Sequence, residues 1–290
     1  MSSVEIVRGV DVAEFQKDVD WKALYEKEAC RFAIMRCKVG NNPGIDKQFH
    51  KNVQGARDAG MFVGAYHFSF PLPKIDPKKE AESFAASSML GSNAGEIPPA
   101  FDLEWPPPVA GAGKKGWKEW GCSAAQVRDH ALIALERMTE LFGCRPLFYT
   151  YPYFWQAMAV AGGMEDFRKY PLWIPGGKNY VNGNGQIPDL SKQQPPKIAL
   201  WGNDWAIWQH DGTGGRKMPN GIDCDFNVFR GTVEDFALFC DSTRVGQPLA
   251  EPFIDQTTIP LTPSLQDVRT LLVEDIIDEY RRDRLNRLME

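Results

Sequence analysis

The stretch PPAFDLEW, residues 98–105, places two acidic side chains, Asp102 and Glu104, two residues apart at the end of a short apolar run. In an extended strand, residues i and i+2 point to the same face with Cα atoms about 6.5–7 Å apart. Carboxyls held that close raise one another's pKa, so one stays protonated near neutral pH while its neighbour ionises. A protonated acid beside an ionised one is what cleavage of a glycosidic bond requires. Two further acids stand in comparable settings, Asp11 in IVRGVDV (6–12) and Asp225 in IDCDFNVF (222–229). Asp223, two residues earlier on the same stretch, competes with Asp225. For any one of these acids a loop cap or turn is the plainer reading. Four at matching strand ends point to a shared site.

The elements that must position them alternate between strand and helix. Buried strands are predicted at 6–12, 31–40, 61–70, 98–105 and 145–151, from short apolar runs. Helical spacing fills the gaps at 19–29, 46–60, 76–90 and 123–143, with Asp20, Asp76 and Ser123 as N-caps and Gly60 and Gly143 as stops. After residue 151 the helical signal weakens. Three more strands are predicted at 171–177, 205–211 and 222–229, then a short helix at 232–240. Strands joined by helical crossovers imply a parallel sheet, and eight strands suit an α/β fold of the TIM-like barrel type. A doubly wound open sheet competes, but GVDVAEF (9–15) lacks the G-x-G-x-x-G turn. In a TIM-like barrel active residues come from the C-terminal ends of the strands. The first and eighth strands are neighbours, so Asp11 and Asp225 approach each other.

Composition narrows the partners. A net charge of -5 leaves no basic face for nucleic acid, and no run reaches the ~18 apolar residues of a membrane span. Aromatics make up 12% of the chain, and several of the nine Trp lie beside Gly, Pro or Asn rather than inside apolar runs. Indoles at a surface fit the flat C–H faces of sugar rings, which makes carbohydrate a partner to test. Cys30, Cys37, Cys122, Cys144, Cys224 and Cys240 form no C-x-x-C pair and read as reduced, buried thiols. Four His without H-x-x-x-H spacing give no metal site, and no cofactor is expected. His67 adjoins Tyr66 and, by alternation, faces the helices.

GVDVAEFQ (9–16), YHFSFP (66–71), FDLEW (101–105), LFYTYPYFW (147–155), LWIPGG (172–177), IWQHDGTG (207–214) and DFNVF (225–229) together resemble glycoside hydrolase family 25, the lysozymes of the Chalaropsis type. The resemblance runs in order over roughly residues 5–240. It implies a barrel of five β/α units followed by three strands. It also implies hydrolysis, with net retention, of the β-1,4 bond between N-acetylmuramic acid and N-acetylglucosamine in bacterial peptidoglycan. Glu104 matches the family's general acid and Asp102 the other carboxylate of its Asp-x-Glu pair. Asp11 matches the Gly-x-Asp acid of the first strand, and Asp225 with Asn227 the Asp-x-Asn motif. Tyr66, Trp105, Trp208 and Asn227 complete the expected substrate-binding set; for Tyr66, a core tyrosine with a satisfied hydroxyl is an equal reading. Two features depart from the pattern. Ala13 stands where the family often has Ser. The loop 106–121 is long and rich in Pro and Gly; its Trp117, Trp120, Lys114, Lys115 and Lys118, with Trp105, either meet the glycan or belong to a solvated insertion.

Other classes compete. A chitinase-like barrel calls for D-x-x-D-x-D-x-E, of which IPPAFDLE has only the last two acids. A catalytically silent glycan-binding or virion barrel has no reason to keep both Asp102 and Glu104. The organisation expected is a catalytic barrel at 1–243, a Pro-containing linker at 244–263 and an amphipathic helix at 264–290. Leu265, Val268, Leu272, Ile276 and Tyr280 form one stripe of that helix. An isolated helix of that length is marginal in water, so the stripe needs a partner, with self-association or a virion surface preferred over the barrel itself. The start MSSVEIVRGV has no secretory pattern. The expected setting is therefore a bacteriophage lysin made in the host cytoplasm and acting at the cell wall.

Overall fold

A computed structural model of the chain describes residues 4–93, 95–104, 121–177, 186–212 and 215–245. Trp105, residues 106–120 of the expected loop, the expected linker beyond residue 245 and the expected helix at 264–290 lie outside the described residues. Among those described, eight strands close into one barrel in sequence order. The strands are β1 (Ile6–Val12), β2 (Cys30–Val39), β3 (Phe62–Phe68), β4 (Ala100–Asp102), β5 (Leu147–Tyr149), β6 (Leu172–Pro175), β7 (Trp205–Asp211) and β8 (Asp225–Arg230). Between and after them run α1 (Trp21–Glu26), α2 (Phe49–Asp58), α3 (Pro77–Ser88), α4 (Ala124–Phe142), α5 (Pro152–Ala159) and α6 (Val233–Ser242). The TIM-like barrel with five β/α units and three closing strands is the architecture observed. One helix, α5, escaped the sequence reading. Its Pro152 sits in the first turn, where a missing N–H costs nothing, but eight residues are too few to show a clear period.

The local code is legible where caps are strong. Asp20 accepts from Ala23 N and Asp76 from Lys78 N, starting α1 and α3. Ser123 and Gln126 make a reciprocal capping box on α4, and Gly143 ends it at φ +66°. Along α4, Val127, Ala131, Ala134, Leu135, Met138 and Phe142 are buried at three- and four-residue steps.

Alternation splits each strand between two apolar layers. Val10, Val12, Ala33, Met35 and Cys37 point outward and pack beneath the helices. Val7, Phe32, Ile34, Ala100, Leu147, Ile207 and Phe229 point inward and fill the lower barrel. At Gly9 a Cβ would sit 2.4 Å from the Phe32 ring, so this inward position must stay bare for the barrel to pack.

The sheet is not wholly parallel, as the sequence reading had it. β1 to β7 run parallel, whereas β8 is antiparallel to both β7 and β1. No helical crossover separates β7 from β8, so the chain returns by a loop and must reverse direction. The reversal has two consequences. Asp225, the first residue of β8, lies beside Asp11 near the end of β1. The chain leaving β8 emerges at the opposite end and delivers α6 to the barrel floor. There the Phe236 ring stacks on Phe32 at 4.7 Å and meets Phe229 edge-on at 5.1 Å. Burying that one side chain contributes about 1.5–3 kcal/mol.

Cys30, Cys37, Cys144, Cys224 and Cys240 are buried free thiols, as the scattered spacing implied, and Cys122 is partly buried. Burial pushes the Cys30 and Cys37 thiols up to about 12, which leaves them inert as nucleophiles.

Candidate active site

The mouth of the barrel holds a cavity of about 210 Å³ lined by Asp11, Tyr66, Asp102, Glu104 and Asp225, together with Tyr149, Tyr151, Trp173 and Gln209. The first five were singled out in the sequence, and four separate strands or their ends bring them together. Asp102 ends β4, Glu104 follows two residues later, and Tyr66 faces inward from β3 in register with Ala100. Asp223 is set apart: it is exposed and pairs with Lys217 at 3.8 Å. His67 faces the helices, as alternation required, and meets Glu80 at 2.7 Å.

Asp11 is the best-held of the four acids. Its Oδ2 accepts from Gln209 Nε2 at 2.8 Å and from Asn227 Nδ2 at 2.7 Å. Both amides are themselves oriented. Tyr149 donates its hydroxyl to Gln209 Oε1 at 2.8 Å, and Trp173 Nε1 donates to Asn227 Oδ1 at 2.8 Å. Each amide oxygen is thereby occupied and each NH2 turned toward Asp11. Burial raises the Asp11 pKa and the two amide bonds oppose that rise, leaving it at about 6.

The other three carboxyls lack such support. Burial, reinforced by the charge of Asp11, pushes Glu104 up to about 8. Burial and the neighbouring Glu104 and Asp11 hold Asp102 well above the usual carboxylate range. Asp225 is raised by burial and then by Asp11 and Glu104. Asp102 Oδ1 is buried without a hydrogen-bond partner. Arg36 is the cation that lowers Asp102, but its own charge is already met by Asp46 at 2.7 Å and Glu14 at 3.2 Å. At neutral pH the arrangement therefore keeps Asp11 ionised and Glu104 protonated. Among the described residues no group of three or more His, Cys, Asp or Glu is arranged to hold a metal ion.

Trp208 departs from the expected set. It does not line the cavity. Gln209 takes the inward position on β7, so alternation turns Trp208 outward, where it packs with Leu190 and Val228 and donates Nε1 to Gly176 O. Asn227 is inward as expected, but it reaches the cavity through Asp11 rather than lining it. The residues the sequence reading missed are Gln209, Tyr149, Tyr151 and Trp173. For Gln209 a signal existed: it is a polar residue two positions from Ile207 on a strand that must be buried.

A closed barrel with four carboxyls gathered in one polar cavity at its mouth has the form of a barrel glycosidase. The sequence matches the glycosyl hydrolases family 25 profile over residues 10–217, and the chain belongs to that family. It is 26% identical over 242 residues to the uncharacterised protein YegX of Escherichia coli K12, covering 82% of this chain and 75% of the relative. It is 24% identical over 244 residues to lysozyme M1 of Streptomyces globisporus, covering 82% and 72%. A solved family 25 glycosyl hydrolase from Bacillus anthracis superposes with a TM-score of 0.60 at 25% identity, covering 82% of this chain and 94% of that one.

Proposed function

We propose that the cavity hydrolyses the β-1,4 bond between N-acetylmuramic acid and N-acetylglucosamine in peptidoglycan, with Glu104 as general acid. The observation that carries the reading is the gathering of Asp11, Asp102, Glu104 and Asp225 in one cavity at the barrel mouth, where burial and the charge of Asp11 raise Glu104 while amide bonds oppose the rise at Asp11. Two carboxyls whose environments drive their pKa values apart are the acid and the charge that such a cleavage needs. Glu104 protonates the departing glycosidic oxygen. Ionised Asp11 keeps Glu104 protonated until that moment and stabilises the positive charge that grows on the sugar ring.

Asp102 acts beside Glu104. Its carboxyl lines the cavity and is within reach of the substrate's 2-acetamido group. Holding that amide lets its own oxygen assist at the anomeric carbon, a role consistent with net retention. Asp225 and Tyr66 complete the wall and bind sugar hydroxyls. The catalytic unit ends near residue 243, because every residue of the cavity lies upstream. Removing 246–290 leaves cleavage of soluble glycan fragments in place.

Glu104→Gln tests the assignment. An amide has no acidic proton to give, so turnover falls by about 10³-fold or more while glycan binding persists. Digested wall analysed by mass spectrometry carries reducing N-acetylmuramic acid ends. Near-wild-type turnover by the folded variant removes Glu104 from the role. Reducing glucosamine ends or freed peptide stems assign a different bond.

A further inference from the structure

Beside the carboxyls, the rim of the mouth carries an aromatic ring that the reaction as described does not use. Phe15 lies in the short 3-10 turn Glu14–Gln16 that follows β1, three residues beyond the end of that strand, and is 70% exposed. An aromatic side chain on a loose turn would need no explanation, but this turn is held on every side. Ala13 N donates to Gln16 Oε1 at 2.8 Å, Glu14 N to Asp46 Oδ2 at 3.0 Å, and Gln16 Nε2 to Asp223 O at 3.3 Å. The Arg36 guanidinium lies over one face of the Phe15 ring, 4.8 Å from its centroid. Arg36 is in turn fixed by Asp46 and Glu14. The ring is thus pre-oriented yet largely open to solvent, an arrangement that lowers the entropy cost of binding.

Its place in the barrel says what it faces. In a closed ring of eight strands taken in order, β1 and β5 are diametrically opposed. The segment after β5 carries a second exposed aromatic among the described residues, Tyr153, 58% exposed and 5.3 Å from the ring of cavity-lining Tyr151. The carboxyl-lined cavity lies between the two. A polysaccharide crossing the mouth along the β5-to-β1 line passes over the carboxyls and meets an aromatic ring at each rim.

We propose that Phe15 is a stacking platform for a sugar ring of the glycan strand, beyond the two sugars joined by the bond that is cut. The proposal rests on the peptidoglycan reading above and extends it to a cleft that grips more of the strand than the scissile pair. The pyranose lays its C–H face on the side of the ring away from Arg36. Arg36 holds the platform level from beneath.

The test compares KM on short and long soluble, uncross-linked glycan strands for wild type, Phe15→Ala, Phe15→Leu and Phe15→Trp, each checked for folding by its thermal midpoint. Loss of one aromatic stack raises KM on long strands by roughly 2- to 13-fold, and the penalty shrinks toward the shortest strand that is cut. Phe15→Leu keeps an apolar cover over Arg36 but lacks the flat π-face, so it behaves like Phe15→Ala; Phe15→Trp recovers wild-type KM. A Phe15→Leu variant indistinguishable from wild type overturns the proposal and leaves the ring as a cover for Arg36. So does a KM penalty that does not depend on strand length, or no penalty at all. If wild type itself releases no reducing ends from peptidoglycan, the functional reading falls first and the platform with it. Wild-type activity together with unchanged Phe15 variants removes the platform alone.

Discussion

Replacing Glu104 by Gln should inactivate the enzyme and, above neutral pH, make it more stable. In the fold, burial and the neighbouring Asp11 charge raise the Glu104 pKa from 4.5 to about 8. An unfolded chain binds no such proton above its ordinary carboxylate range. As pH rises from 4.5 toward 8 the native state therefore holds a proton that the unfolded state releases, and stability falls with pH. Each unit of that interval is worth about 1.4 kcal/mol, an upper bound of about 5 kcal/mol overall. Glu104 keeps a minor part of its surface exposed, and four carboxyls share the repulsion, so screening and coupled titration reduce the expected figure to about 1–3 kcal/mol. Gln has no charge to suppress and carries none of this cost. Urea unfolding of both proteins at about pH 5 and about pH 8 reads the effect, with nearly equal midpoints at the lower pH and a clear excess for Glu104→Gln at the higher. A stability difference that is the same at both pH values refutes the reasoning, as does a variant that is weaker at pH 8. Either result would mean that Glu104 is ionised in the fold and cannot be the proton donor.

The hydrogen bonds around Asp11 predict the shape of the pH–rate profile. Activity needs Asp11 ionised and Glu104 protonated, which sets limbs near about 6 and about 8. Asn227→Ala removes one of two amide bonds to Asp11, so the acid limb moves up by roughly one to two pH units. Because Asp11 is then less often charged, Glu104 is raised less and the alkaline limb moves down; a bell that fails to narrow contradicts the network. Behind β3, buried Glu80 joins His67 at 2.7 Å, His130 at 2.6 Å and the Ser69 hydroxyl at 3.0 Å. Burial alone would raise its pKa, but the charge of His67 and the bonds from both histidines hold it down at about 2. Glu80→Ala leaves those partners unmet and costs about 3–5 kcal/mol, read as a lower unfolding midpoint. A depressed carboxyl stabilises the fold above its unfolded pKa of 4.5 and loses that contribution as pH falls toward about 2. Stability over that acid window should therefore be flatter in Glu80→Gln than in wild type.

Much of this protein is written locally. Strand and helix positions follow from short-range periods, and Asp20, Asp76 and Ser123 start their helices with bonds made inside three residues. The acids of the site were legible for a related reason: charged side chains at the ends of strands that must be buried stand out against their surroundings. What the sequence alone did not decide is which face of a late, irregular strand turns inward. Trp208 and Gln209 are adjacent, and on β7 only pairing with β6 and β8 puts the amide inside and the indole out. Nor did local pattern show that β8 runs backwards, since strand direction is set by the route the chain takes between strands and not by the residues within them. That reversal brings Asp225 to Asp11 and lets Asn227 and Gln209, 216 and 198 residues away in the chain, meet one carboxylate oxygen. The types of the catalytic groups belong to the sequence. Their unequal acidity belongs to the tertiary structure, because burial raises all four carboxyls while amide donors from distant strands oppose that rise at Asp11 and not at its neighbours.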